Sequence, residues 1–344
     1  MKKQAGLALA LCASLGLVGC ASGANTTTQA GSQTSSATSS SAKFEKKTPL
    51  KIGYTVYDLQ NPYFQSYAAG IKAEAATQGI EVLTADQKSD QSKQVSGSLD
   101  LINQGISGLI ISPVQPDALP ATITAAHAAK IPAVIGDIGT AGDYDAYIQS
   151  NNKAGGASAA GYVVKQLGSK AGTHQVGVIE LHAGSVAGEE RVGGFVDELA
   201  KSSNFKIVSK LAGNDTVDGG FKAAQDMLSA NPDLEVIYAG NDDSAIGAQR
   251  AMETAGKSVK NGFILIGFDG SSSAQQLIEK GTMSATVAQD PYGQGQRAVK
   301  TVLALLNGED PKFDDATAKT IYFPTEIVDA SNLADFRASR ASQK

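Results

Sequence analysis

The chain has 344 residues, 42% of them hydrophobic and 18% charged, and 29 Lys and Arg against 34 Asp and Glu leave a net charge of −5. That length accommodates two domains with a core each, and the acidic balance excludes a nucleic-acid binder with a basic face. Three His and two Cys, without ligand spacing, leave little material for a metal or iron–sulfur site, and with no Trp any aromatic platform must be Tyr or Phe.

The first residues read as an address. Met1-Lys2-Lys3 is a basic start, and the apolar run Leu7–Val18 falls short of the ~20 residues a membrane span needs, so it reads as a signal-peptide core. It ends in Leu17-Val18-Gly19-Cys20, which resembles a bacterial lipobox and implies a signal peptide over 1–19 and lipidation of Cys20. Cleavage there removes Cys12, so the exported body holds no disulfide. Residues 20–43 form the linker: Ala21–Ala42 is Ser, Thr, Ala, Gly, Gln and Asn with no charge, too polar to bury a core, and reads as a flexible tether. The folded body is expected from about Leu50.

From there strand-like and helix-like runs alternate. Strands are expected at Leu50–Tyr57, Glu81–Ala85, Gly108–Pro113 and Pro132–Asp137, with helices at Phe64–Gln78, Ser92–Gln104 and Leu119–Lys130 between them. Phe64, Ala68, Ile71 and Ala75 share one helix face. Further strands follow at Gln175–Leu181, Lys206–Leu211, Val236–Ala239 and Phe263–Phe268. The alternation predicts an α/β protein of two doubly wound parallel-sheet lobes.

In such sheets ligands bind beyond the carboxyl ends of strands. The first strand runs into Asp58-Leu59-Gln60-Asn61-Pro62-Tyr63-Phe64 and the fourth ends at Asp137. In the second half one strand runs into Gly240-Asn241-Asp242-Asp243 and the next into Gly267-Phe268-Asp269-Gly270. Acids, amides and rings at such ends suit a neutral polyhydroxyl compound: ionised partners strengthen each hydroxyl bond, and apolar ring faces pack on Tyr or Phe. Each residue alone also reads as a cap or turn residue; the constellation carries the case.

At these residues the chain resembles the pentose/hexose family of periplasmic binding proteins, closest to ribose-binding proteins. The resemblance runs from about Leu50 to Val328. It is carried by Asn61-Pro62-Tyr63-Phe64, Ile131-Pro132-Ala133-Val134, Arg191-Val192-Gly193-Gly194-Phe195, Ala239-Gly240-Asn241-Asp242, Ile266-Gly267-Phe268-Asp269-Gly270 and Ala285-Thr286-Val287-Ala288-Gln289. It implies a pocket in which Tyr63 and Phe64 stack on the sugar, with Asn61 beside them, while Asp137, Arg191, Asn241, Asp269 and Gln289 hold hydroxyls. Tyr57, Asp58, Asp215 and Phe268 are further candidates, Phe268 also reading as core. The chain departs from ribose-binding proteins at Ile138, where they carry Arg, at Tyr57, where they carry Ser, and at Asp215, where they carry Phe. The implied ligand is therefore a pentose, hexose or polyol rather than ribose in particular.

The resemblance also implies three crossings between lobes, near Ser150–Asn152, Gln289–Pro291 and Tyr322–Pro324. The N-lobe is then 50–151 plus 290–322, the C-lobe 152–289 plus 323–336, and 337–344 a tail. Such a hinge closes on ligand. The expected protein is a monomeric, lipid-anchored binder that delivers sugar to an ABC-transporter permease, with no catalysis, cofactor, metal or nucleic acid. The alternatives are a sensor that docks on a chemoreceptor or kinase, and an exported glycan hydrolase using Asp137 and Asp269 as acid and base. Gly293-Gln294-Gly295-Gln296-Arg297-Ala298 has a dinucleotide-like glycine pattern but lacks the strand–turn–helix setting with a later acid.

Overall fold

The structure, a computed structural model, describes residues 43–139 and 141–343. The expected signal peptide over 1–19, Cys20 and nearly all of the expected linker over 20–43 lie outside the described residues. Among those described, no helix is long and apolar enough to cross a membrane.

The first half runs β1 (Lys51–Val56), α1 (Pro62–Thr77), β2 (Glu81–Asp86), α2 (Gln91–Asn103), β3 (Gly108–Ile111), α3 (Leu119–Ala128), β4 (Ala133–Gly136) and β5 (Ala146–Ser150). The second runs α4 (Asn152–Leu167), β6 (His174–Glu180), α5 (Val186–Leu199), β7 (Phe205–Ala212), α6 (Val217–Ala230), β8 (Leu234–Ala239), α7 (Asp242–Thr254), β9 (Ile264–Asp269), α8 (Ser272–Glu279) and β10 (Ala285–Ala288). The chain ends in α9 (Pro291–Asn307), β11 (Thr320–Phe323), β12 (Glu326–Asp329) and α10 (Leu333–Arg340). Side-chain oxygens set several helix starts: Asn61, Asp90, Ser185 and Asn241 each accept from a backbone N–H in the first turn.

The strands form two six-stranded sheets, ordered β11-β5-β4-β3-β1-β2 and β12-β10-β9-β8-β6-β7. The orders match place for place, so the halves repeat in topology. All strand pairs are parallel but β10–β12, which is antiparallel. Both faces of each sheet are covered, as apolar strands of this kind require. In the N-lobe Ile110, Val134 and Ile148 face one core and Leu109, Ile111 and Ile135 the other. In the C-lobe Ile237 and Leu265 oppose Val236, Tyr238 and Ile266.

The chain passes between the sheets after β5, after β10 and between β11 and β12. Helix α9 belongs with the N-lobe because it packs on α1 at glycine contacts: a Cβ on Gly70 would fall 2.0 Å from the Tyr292 carbonyl oxygen, and one on Gly295 2.1 Å from that of Tyr67. Two boundaries differ from expectation. The body begins before Leu50: Phe44 is buried in the N-lobe core and the Lys43 ammonium sits 2.7 Å from buried Asp145. At the other end α10 continues to Arg340, where a tail was expected from 337, and Arg337 pairs with Glu279 at 2.9 Å. The polar run Lys43–Lys47 carries one apolar side chain, so only tertiary docking reveals that it is structured.

Candidate functional site

The N-lobe wall is aromatic. Asn61 caps α1 by accepting from the Tyr63 N–H at 2.9 Å. This turn directs Tyr63 and Phe64 back over β1, where Phe64 lies 5.3 Å from the Tyr57 ring and 5.1 Å from that of Tyr63. Asn61 itself is exposed, Phe64 buried, and Tyr57 and Tyr63 half-buried. Asp137 follows β4 with φ 69°, a left-handed conformation uncommon for an L residue, and its N–H donates to the Ile148 carbonyl. Burial raises its pKa, opposed by the Tyr63 hydroxyl and the positive charge of Arg191. Burial, followed by the Asp137 charge, also pushes the Tyr63 phenol well up. Ile138 packs on the N-lobe core.

The C-lobe wall is built around Asp269, whose φ is 132°. Its Oδ1 accepts from Gln289 Nε2 at 2.7 Å and from Arg191 Nη1 at 3.4 Å. The Arg191 guanidinium also donates to Asn152 Oδ1 at 3.0 Å and to the Gly240 carbonyl at 2.9 Å, and lies 3.9 Å from the Phe268 ring centroid. Phe268 is fully buried, so it serves the core and the guanidinium together. Arg191 reaches this place because α4 and α5 touch at glycines: a Cβ on Gly156 would fall 1.9 Å from the Arg191 carbonyl oxygen.

Asn241 caps α7, accepting from the Ser244 N–H at 3.1 Å and donating to the Asp215 carbonyl at 3.2 Å. Two candidate acids have their oxygens engaged within their own lobes. Asp58 accepts from the Gln60 N–H and the Ser89 hydroxyl, both at 2.8 Å. Asp215 accepts from the His182 N–H at 3.0 Å and pairs with the His182 ring.

The structure thus groups Tyr57, Tyr63, Phe64 and Asp137 at one sheet, and Arg191, Phe268, Asp269 and Gln289 at the other. Asp137, Arg191 and Asp269 act electrostatically on one another. One cation between two acids suits a neutral ligand rich in hydroxyl donors.

Several polar residues here lie outside the set expected from the sequence. Asp242 is buried beside Asp269, accepting from the Thr286 hydroxyl and the Ser271 N–H, each at 2.7 Å. Burial raises the pKa of both acids; the Asp269 charge adds to the rise at Asp242, and Arg191 opposes it at Asp269. Ser150, Asn152 and Gln294 are buried where the chain crosses between sheets. Asp242 lies in a stretch that carries the resemblance and Ser150–Asn152 is an expected crossing, but neither signal marks these side chains as part of the site.

The family model described as "Periplasmic binding protein domain" matches residues 52–310. A ribose import binding protein of Bacillus subtilis is 33% identical over 282 residues, 82% of this chain and 88% of the relative. A periplasmic ribose ABC transporter structure from Conexibacter woesei aligns with TM-score 0.77 at 25% identity, covering 86% of this chain and 96% of that one. A myo-inositol-binding protein of Caulobacter, solved with myo-inositol bound, aligns with TM-score 0.72 at 28% identity, covering 86% and 97%. With both sheets, their crossings and the matched residues in agreement, the chain belongs to the type I periplasmic sugar-binding protein family.

Proposed function

We propose that this chain is the lipid-anchored, extracytoplasmic binding component of an ABC importer, which captures one small pentose, hexose or polyol by closing its two lobes and presents it to a permease. The observation that carries this reading is the pairing of Asp137 and Asp269, acids at equivalent strand ends of the two sheets, the first beside the Tyr63 and Tyr147 hydroxyls and the second beside the Arg191 guanidinium that stacks on Phe268. A ligand held by both bridges the cleft and favours the closed form. The pocket comprises Asn61, Tyr63, Phe64 and Asp137 on the N-lobe and Arg191, Asn241, Asp269 and Gln289 on the C-lobe. Asn61 contributes mainly through its cap, since its Oδ1 is taken by the Tyr63 N–H. Relatives that bind ribose and myo-inositol support the ligand class. The protein performs no chemistry on its ligand.

A thermal-shift screen of the purified chain against D-ribose, other pentoses, hexoses and polyols including myo-inositol tests this. A ligand at 100 times its dissociation constant adds ~2.7 kcal/mol of stability. The recovered ligand should be unchanged by NMR; turnover of any sugar or glycoside would overturn the reading. Anchoring is tested separately: Cys20→Ala should abolish fatty-acid labelling and release the protein from membranes.

A further inference from the structure

Four hydrogen bonds run head to tail from the N-lobe wall to the C-lobe acid. The Tyr63 hydroxyl donates to Gln294 Oε1 at 3.2 Å, Gln294 Nε2 to Ser150 Oγ at 3.0 Å, the Ser150 hydroxyl to Gln289 Oε1 at 2.7 Å, and Gln289 Nε2 to Asp269 Oδ1 at 2.7 Å. Ser150, Gln289 and Gln294 are buried, and Gln294 has no exposed surface. The Ser150–Gln289 bond joins two of the chain's crossings between sheets, so the track passes through the hinge.

We propose that Gln294 is a positioning residue that lets the charge on Asp269 fix the hydroxyl direction of Tyr63. An ionised Asp269 accepts only, so the Gln289 amide must turn its N–H toward it and its oxygen toward Ser150. Ser150 must then donate to Gln289 and accept from Gln294. Gln294 is left with its oxygen toward Tyr63, and the phenol must donate its single proton there. That proton has a competing acceptor, because the Tyr63 hydroxyl also faces the Asp137 carboxylate. The hydrogen bond that the geometry gives this hydroxyl is the one to Gln294 Oε1, at 3.2 Å. In the pocket Tyr63 then acts as an acceptor only, and the second N–H of Gln289 Nε2 as a donor only. On the sugar-binding reading, which this deepens, the ligand must bring a hydroxyl donor to Tyr63, and an analogue deoxygenated there is rejected.

The test needs no ligand, so a failed sugar screen and a failed track are separable. The full chain is labelled with 13Cζ-tyrosine and the Tyr63 resonance is assigned by its loss in Tyr63→Phe. Asp269→Asn should displace that resonance in the otherwise unchanged protein. In a Gln294→Leu background the same substitution should leave it in place. Ser150→Ala, a second break that does not depend on the folding of Gln294→Leu, should abolish the response, and Ser150→Thr, which keeps the hydroxyl, should preserve it. A displacement of equal size with and without Gln294 would mean that Asp269 acts on Tyr63 through space. That outcome, or no displacement in any background, overturns the proposal.

Discussion

Asp137 and Asp269 stand at the same place in the two sheets. One follows β4 and the other ends β9, each the third strand in its sheet's order, and both have positive φ, 69° and 132°. Backbone strain of order 1–3 kcal/mol persists where the surroundings over-determine it. Here the strand ends hold each acid from behind, through the Asp137 N–H on the Ile148 carbonyl and the Asp269 carbonyl accepting from the Gln289 N–H.

If both carboxylates grip the ligand, removing either charge leaves hydroxyls with a weaker partner. A charge-assisted bond contributes ~1.5–3 kcal/mol, so Asp137→Asn and Asp269→Asn should each weaken binding about ten- to a hundred-fold. Tyr63→Ala and Phe64→Ala should cost a similar amount through lost ring contact. Asp90 is the control: its Oδ1 accepts from the Ser92 N–H at 2.9 Å, a cap on α2. Asp90→Asn should leave affinity within about twofold, since Asn caps as well as Asp. Calorimetry on the sugar found in the screen decides; parental affinity in both Asp variants would refute the pocket and leave the fold intact.

Asp242, which is buried, and Asp269, which is half-buried, make a statement about pH. Both folded pKa values lie above the ordinary carboxylate range, chiefly through burial. Between the unfolded value of ~3.9 and those raised values the folded state binds more protons than the unfolded state. Stability from this pair is therefore present at low pH and is lost as pH rises from about 4 into the neutral range. Asp242→Asn removes one member, so its melting temperature relative to the parent should improve from pH 4.5 to pH 7.5. A difference that stays constant over that range would mean that folding does not raise the pKa of these acids.

The sheets and the walls of the site were legible because their signals are local. Apolar runs that end in Asp, Asn or Gly mark β1, β4, β8 and β9, and Asn61-Pro62 marks the start of α1 with its rings. The hinge was not legible in this way. Ser150 and Gln289 are 139 residues apart and meet only because β5 and β10 hold equivalent places in sheets that the chain leaves side by side. Gln294 lies on an amphipathic helix that packs by its glycines, and nothing in its neighbours' spacing sets a buried amide apart from a solvated one. Phe268 read equally as core or ligand platform; its full burial and the guanidinium stacked on it place it in the core, where it supports Arg191.

Phe44 gives a test of where the body starts. Its ring is buried in the N-lobe core, and the next N–H, on Glu45, donates to the Lys130 carbonyl at 2.9 Å. Phe44→Ala should lower stability by about 2 kcal/mol, the value of burying a side chain of this size. Denaturant unfolding with an unchanged slope would report it; parental stability would mean that the segment does not dock in solution.

Two glycines of α4 separate close helix packing from helix propensity. A Cβ on Gly156 would lie 1.9 Å from the Arg191 carbonyl oxygen and 2.9 Å from the Phe195 nitrogen, both backbone atoms of α5, whereas one on Gly161 would meet nothing within 4 Å. Neither position has positive φ, so Ala is conformationally acceptable at both. Gly161→Ala should therefore stabilise the protein by roughly 0.5–1 kcal/mol, the ordinary gain in a helix interior. Gly156→Ala must push α5 away from α4 and should cost about 1–3 kcal/mol as an overpacked contact. It should also weaken sugar binding, because Arg191 Nε reaches Asn152 Oδ1 at 3.0 Å only while the two helices touch. Melting temperatures of the two variants should move in opposite directions. A stabilising Gly156→Ala would show that the α4–α5 contact, and with it the placement of Arg191 over Phe268, is looser than the structure has it.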